Sequence, residues 1–197
     1  MGSPSALAMP PTIDLAALEQ QKSDVLRGVS RWSPRQLAYR PQPPAWSALE
    51  VLDHLVRVER EILIAMRRGL HSPHRLGLRD RAGVALLDWL FRSDRRVRVP
   101  KSVPQILPTS DATLESIGED WAHGRRDLGE FLSSLSLPQH ALGIFQHPVA
   151  GWMTVPQILR FFWVHTHHHG FQLARLEAAS KVDRPPDPGR VRVGGRG

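Results

Sequence analysis

A chain of 197 residues, 41 % hydrophobic and 23 % charged, has the length and composition of one globular domain with a substantial core. It contains no cysteine, which excludes disulfides, thiolate metal sites and a cysteine nucleophile. The formal charge is +7 and unevenly placed: residues 67–101 hold ten Lys/Arg against three Asp/Glu, residues 181–197 hold five against two, and the remainder is net acidic.

No apolar run approaches the length needed to cross a bilayer. Residues 1–10 lack the basic and apolar regions of an export signal. A cytoplasmic protein without a membrane partner is therefore expected.

Four segments carry a helical period, with proline or glycine at the joins. The first covers about residues 13–32, where Leu15, Leu18, Val25, Val29 and Trp32 recur at spacings of three, four or seven. Pro41, Pro43 and Pro44 then impose an extended connection. The second begins at Ser47, an N-cap with Glu50 as capping-box partner, and runs to about Arg68. Val51, Leu55, Val58 and Ile62 form its stripe, and His54 sits at the edge of it. The third covers about residues 111–135, with Leu114, Ile117, Trp121, Leu128, Phe131, Leu132 and Leu135 in phase. The fourth starts after Gly151 on a second capping box, Thr154 with Gln157, and reaches about Ala179. No strand is expected. The pattern predicts an all-α, up-down-type four-helix bundle over residues 1–180, with a disordered tail over 181–197.

The join over residues 69–110 is long for two bundle helices and carries most of the basic charge. Residues 84–91 within it can form a short helix, whereas Pro100, Pro104 and Pro108 forbid regular structure later. The basic segment is a solvated excursion or a phosphate-binding patch, or it steers an anionic substrate. Nucleic-acid binding through it is the weaker alternative, because residues 92–101 lack interleaved aromatics and any known module.

Chemistry concentrates in His165-Thr-His-His-His169 on the fourth helix. At about 100° per residue, Ile158, Phe161, Phe162, His169, Gln172 and Leu176 all fall within about 60° of His165. Two histidines and a glutamine thus lie in the core-facing stripe, while His167 points outward and His168 is marginal. Residues four apart stack one turn above each other, so His165 and His169 can converge on one ion or remain two hydrogen-bonded core histidines. Burying two imidazoles beside Phe161 and Phe162 without partners is costly, which favours the ion. A third ligand must come from another helix.

Trp46-Ser-Ala-Leu-Glu-Val-Leu-Asp-His54-Leu resembles the second-helix motif of the DinB-like family: a tryptophan, a capping turn and a histidine eight residues on. His147-Pro-Val-Ala-Gly-Trp-Met-Thr-Val-Pro-Gln-Ile-Leu is similar to that family's lead into its last helix. His165-x-x-His168-His169-x-x-Gln172-Leu is similar to its metal-binding motif. The resemblance covers about residues 14–177, and the long basic segment departs from many relatives. It implies a bundle with a three-histidine site for a divalent metal, zinc or nickel, held by His54, His165 and His169. It also implies an activity among the family's known ones: S-transfer from a low-molecular-weight thiol such as bacillithiol, mycothiol or glutathione, mycothiol-dependent isomerisation, or metal-dependent hydrolysis.

Three neutral imidazoles leave open positions on such an ion, where water or a thiol could ionise at neutral pH. Glu50 either caps its helix or orients His54, and Gln172 either serves the site or makes a buried hydrogen bond. The expected partner is a small-molecule substrate, and a homodimer fits the same pattern. The alternative to an enzyme is a non-catalytic metal-binding bundle acting in stress response.

Overall fold

The computed structural model describes residues 12–42, 44–95, 103–109 and 111–182. The expected disorder of the tail over 181–197 lies outside these residues, apart from its first two positions.

The chain is mostly helical. Helix α1, Leu15–Val29, starts where the Asp14 carboxylate accepts the Ala17 N–H. It ends before the expected Trp32, because Ser33 caps a separate turn, α2 (Pro34–Leu37). Helix α3, Ala48–Gly69, opens on the expected capping box: Ser47 accepts the Glu50 N–H, and Glu50 accepts the Ser47 N–H. The long join contains α4, Leu78–Phe91, and a 3-10 turn η1, Pro104–Ile106. Helix α4 begins six residues earlier than the apolar run suggests, because Asp80 caps the Gly77 N–H. Helix α5, Leu114–Ser133, is capped by Thr113, and the short α6 is Leu137–His140. Helix α7, Val155–Val182, follows the Thr154–Gln157 cap.

Helices α1, α3, α5 and α7 form the bundle. α3 packs against α5 and α7, and α1 packs against the same two, so α1 and α3 lie across a diagonal. The short α2 closes one end over α3 and α7, while α4 lies outside against α7.

The strands also differ from the sequence expectation. Strands β1 (Phe145–His147) and β2 (Gly151–Met153) form an antiparallel hairpin ahead of α7, pairing Phe145 with Met153 and His147 with Gly151. Three-residue strands are too short to display a period of two, so no alternation announces them. The turn needs Gly151, which has φ of 81°. Its backbone lies so close to Asp80 that a Cβ would strike that carboxylate. Gly83 serves in the same way from the helix side, since a Cβ there would meet the Ala150 carbonyl.

Buried apolar residues form two clusters. One takes Val58, Ile62 and Met66 from α3 with Ile158, Phe161 and Phe162 from α7. The other takes Val51, Leu52 and Leu55 from α3, Ile117 and Trp121 from α5, and Leu173 and Leu176 from α7. Buried polar side chains lie between them on every bundle helix: Gln21 and Lys22, His54 and Glu59, Arg125, and His165, Thr166, His168 and His169. The bundle interior is thus crossed by a polar layer.

A candidate metal centre

Helical phase puts His165 and His169 one turn apart on the inner face of α7, and His54 meets them from α3. All three are buried. One ring nitrogen from each lies within 4.8 Å of the others, making a group able to hold a metal ion. The His165 and His169 rings are 4.7 Å apart, and His54 lies 5.3 Å from His165 and 5.0 Å from His169.

The outward nitrogens are already committed. His54 Nδ1 donates to the Ile106 carbonyl at 2.7 Å, and His169 Nδ1 donates to Gln172 Oε1 at 2.9 Å. A proton on each Nδ1 leaves each Nε2 with a free lone pair. His169 Nε2 faces His165 Nε2 at 3.2 Å, so His165 carries the proton between them when no cation is there. Moving that proton to Nδ1 turns the trio into three lone pairs. The arrangement suits a borderline divalent ion, for which neutral imidazole is a favoured ligand.

Electrostatics keep the trio neutral. Burial, with neighbouring His54 adding to it and the Gln172 bond partly offsetting it, lowers the His169 pKa to about 3. Burial also holds His165 well below the usual histidine range, with His169 and His54 adding to the effect. His54 is lowered by burial, partly offset by its bond to Ile106. Uncharged rings are the ligating form, so burial keeps this group in the state that could hold a cation.

The surroundings are aromatic. Trp46 lies against His54 at 4.8 Å, Phe161 stacks on His165 at 5.2 Å, and Phe91 meets His165 edge-on at 5.3 Å. Phe91 and Ile106 both belong to the long join between α3 and α5, so the excursion forms part of the site's wall. It is pinned there by Asp53, whose Oδ2 accepts the Thr109 N–H at 2.7 Å and the Arg57 Nε–H at 2.8 Å. Neither Ile106 nor Asp53 emerges from sequence patterning, because one acts through its backbone and the other through a distant loop.

The remaining candidates fall as follows. Glu50 accepts from the Ser47 N–H and from Arg40, as a capping residue does. His168 is buried: its Nδ1 donates to the Ser93 carbonyl at 3.1 Å and its ring meets Phe91. Its partners come from the excursion, so the bundle wheel alone left it undecided. His167 is half-buried rather than fully outward, stacked on Trp163 at 5.4 Å and edge-on to Phe171. His147 stands 5.3 Å from Phe161, and its Nδ1 accepts the Val149 and Ala150 N–H groups. Burial lowers its pKa to about 4.

Among the described residues no helix is long and apolar enough to cross a membrane. The family model of the DinB superfamily matches residues 17–173, a span that includes all three histidines. Neither a curated protein nor a solved structure matches the chain.

Proposed function

The chain belongs to the DinB superfamily, and from that premise we propose that it is a metal-dependent enzyme with His54, His165 and His169 as ligands. The observation that supports this reading is the convergence of three buried, neutral imidazoles from two helices. Two of them have their other nitrogen held by an acceptor. The ion, zinc or nickel, would supply a Lewis-acidic position at which water or a low-molecular-weight thiol ionises near neutral pH. The chain has no cysteine of its own, so a thiol nucleophile must arrive as a cosubstrate.

The protein residues have distinct tasks. Ile106 and Gln172 fix the rings of His54 and His169 in the tautomer that offers Nε2. Trp46, Phe91 and Phe161 keep bulk water from the rings and strengthen electrostatic interactions among them. Glu50 acts as a cap for α3. The reaction class is thiol S-transfer or hydrolysis of a small-molecule substrate.

The test begins with untagged protein, which should carry about one divalent ion per chain. Activity is then followed against pH, with and without thiols, on metal-loaded and chelator-stripped protein. A rate that needs the ion and rises with pH supports the reading. A rate that also saturates with one thiol assigns S-transfer, and thiol independence assigns hydrolysis. Full activity after stripping would make the histidines structural and the reading wrong.

A further inference from the structure

Helix α4 is apolar on two opposite faces. Its inner face buries Leu87 and Phe91. Its outer face carries Leu78, Ala82, Ala85, Leu86 and Trp89, all exposed, with Leu78 at 83 %, Leu86 at 59 % and Trp89 at 57 %. At about 100° per residue these five fall within a sector of about 100°, a continuous stripe rather than scattered exposure. A helix apolar on both sides is ordinarily covered on both.

The edges of the stripe are cationic. Arg79 and Arg81 flank it and are exposed, and Arg95 lies over the Trp89 ring at 5.3 Å. The acids of the helix are turned to internal duties. Asp80 accepts the Gly77 and Trp152 N–H groups, and Asp88 binds Arg160 and Arg92. Asp94, just beyond the helix, pairs with Arg175 of α7. The face thus combines leucine and tryptophan with arginine, and offers no acid. Residues 67–101 carry seven of the chain's positive charges in excess, while the bundle proper is net acidic.

We infer that the outer face of α4 docks on an anionic phospholipid surface. Leu78 and Leu86 enter the acyl boundary, Trp89 sits at headgroup depth, and Arg79, Arg81 and Arg95 meet the phosphates. This is contact with one leaflet, not a crossing. Charge decides among occupants. A second copy packed α4 to α4 would set arginines against arginines. Nucleic acid satisfies the arginines, but Leu78, Leu86 and Ala85 gain nothing from a phosphate backbone. A surface with anionic heads and an apolar interior matches both halves of the face. The inner side of the same helix packs Phe91 on His165 and His168, so docking would bring the histidine centre within one helix thickness of the lipid.

The experiment is co-flotation of the full chain with vesicles of phosphatidylcholine alone, or with about a third phosphatidylglycerol. The chain should float with the anionic vesicles and stay behind with the neutral ones, and salt should weaken the binding. Arg79→Gln with Arg81→Gln should cut partition by roughly fivefold per arginine. Leu86→Ser with Trp89→Ser should cut it by about tenfold or more. Ala82→Glu removes no internal contact and should abolish flotation while circular dichroism and thermal midpoint stay at wild type. Equal partition to both vesicle types, or flotation untouched by Ala82→Glu, would overturn the inference. So would binding to duplex DNA that Leu86→Ser and Trp89→Ser leave intact while vesicle binding is absent. A dimer that Ala82→Glu dissociates, in a chain that does not float, would give the face to a second copy instead.

Discussion

On the α3–α5 side of the polar layer, Glu59 accepts from Trp121 Nε1 at 3.0 Å and from Arg125 Nη2 at 2.7 Å. On the α3–α7 side, one helical turn away along α3, three imidazoles face one another with nothing of opposite charge among them. Both groups are buried between the same two apolar clusters, and both cost desolvation energy. In the first a charge meets its counter-charge and both carboxylate oxygens have donors, while Arg125 Nε and Nη1 have no partner among the described residues. The second is self-similar, with burial and mutual repulsion driving every ring to neutrality. A buried pair of opposite charges serves the fold. A buried trio of neutral imidazoles is a group that could hold a cation.

The largest effect that could break this contrast is ligand loss. His54→Ala should remove nearly all bound metal, although it is far in sequence from the other two, and His169→Ala should do the same. Metal counted on untagged protein is the readout, and full occupancy in either variant would dissolve the trio. The converse applies to the ion pair. Glu59→Ala takes the Nη2 partner from the buried Arg125, whose Nε and Nη1 already lack one among the described residues. It should lower stability by about 3–5 kcal/mol in denaturant titration. Replacing both members with methionine should recover most of that loss. Metal per folded molecule should stay at wild type in each case.

A smaller effect sharpens the site's dependence on the excursion. Asp53 does not touch the proposed metal position. It holds Thr109, and with it the segment whose Ile106 carbonyl fixes His54. Asp53→Ala should weaken metal affinity by about tenfold while leaving the three ligands in place, as loss of an orienting contact does. Gln172→Ala should have a similar effect through His169. Unchanged affinity in both would mean that the rings are held by packing alone.

These expectations show how far the sequence reaches. The fourth-helix wheel brings His165, His169 and Gln172 to one face because a long helix keeps its phase over the roughly two turns between them. Ser47 with Glu50 and Thr154 with Gln157 start their helices as expected, since capping is local chemistry. What escaped was carried by long-range backbone contact. The Ile106 carbonyl, the Ser93 carbonyl beneath His168 and the three-residue strands have no periodic signature. Glu59 and Arg125 escaped for another reason: each lies on an apolar face, and only the packing of α3 on α5 makes them a pair.

Acid offers a prediction with a definite sign. His169 and His147 have native pKa values lowered to about 3 and about 4, whereas the unfolded chain titrates near the ordinary histidine value of about 6.5. Between these values the unfolded state binds more protons, so stability is full above about pH 6.5 and falls as pH drops toward 4. Metal-stripped protein should therefore show a midpoint in urea that declines across this window. A flat midpoint would mean that the rings are already charged in the native state.

The smallest effect is expected at His167, and it separates ligation from packing. His167 lies between two histidines of the same run, yet its ring is stacked on Trp163 and edge-on to Phe171 rather than turned to the trio. It is half-buried, and burial lowers its pKa without supplying a partner for charge. His167→Ala therefore removes an aromatic contact and no ligand. Metal content and rate should remain near wild type, while stability falls by about 0.5–1.5 kcal/mol, the usual worth of an aromatic pair. His167→Phe should restore the stability and still leave metal content unchanged. If His167→Ala lost metal as His169→Ala does, α7 would have to be rotated by nearly half a turn. The trio, the polar layer and the contrast with Glu59 and Arg125 would then all have to be rebuilt.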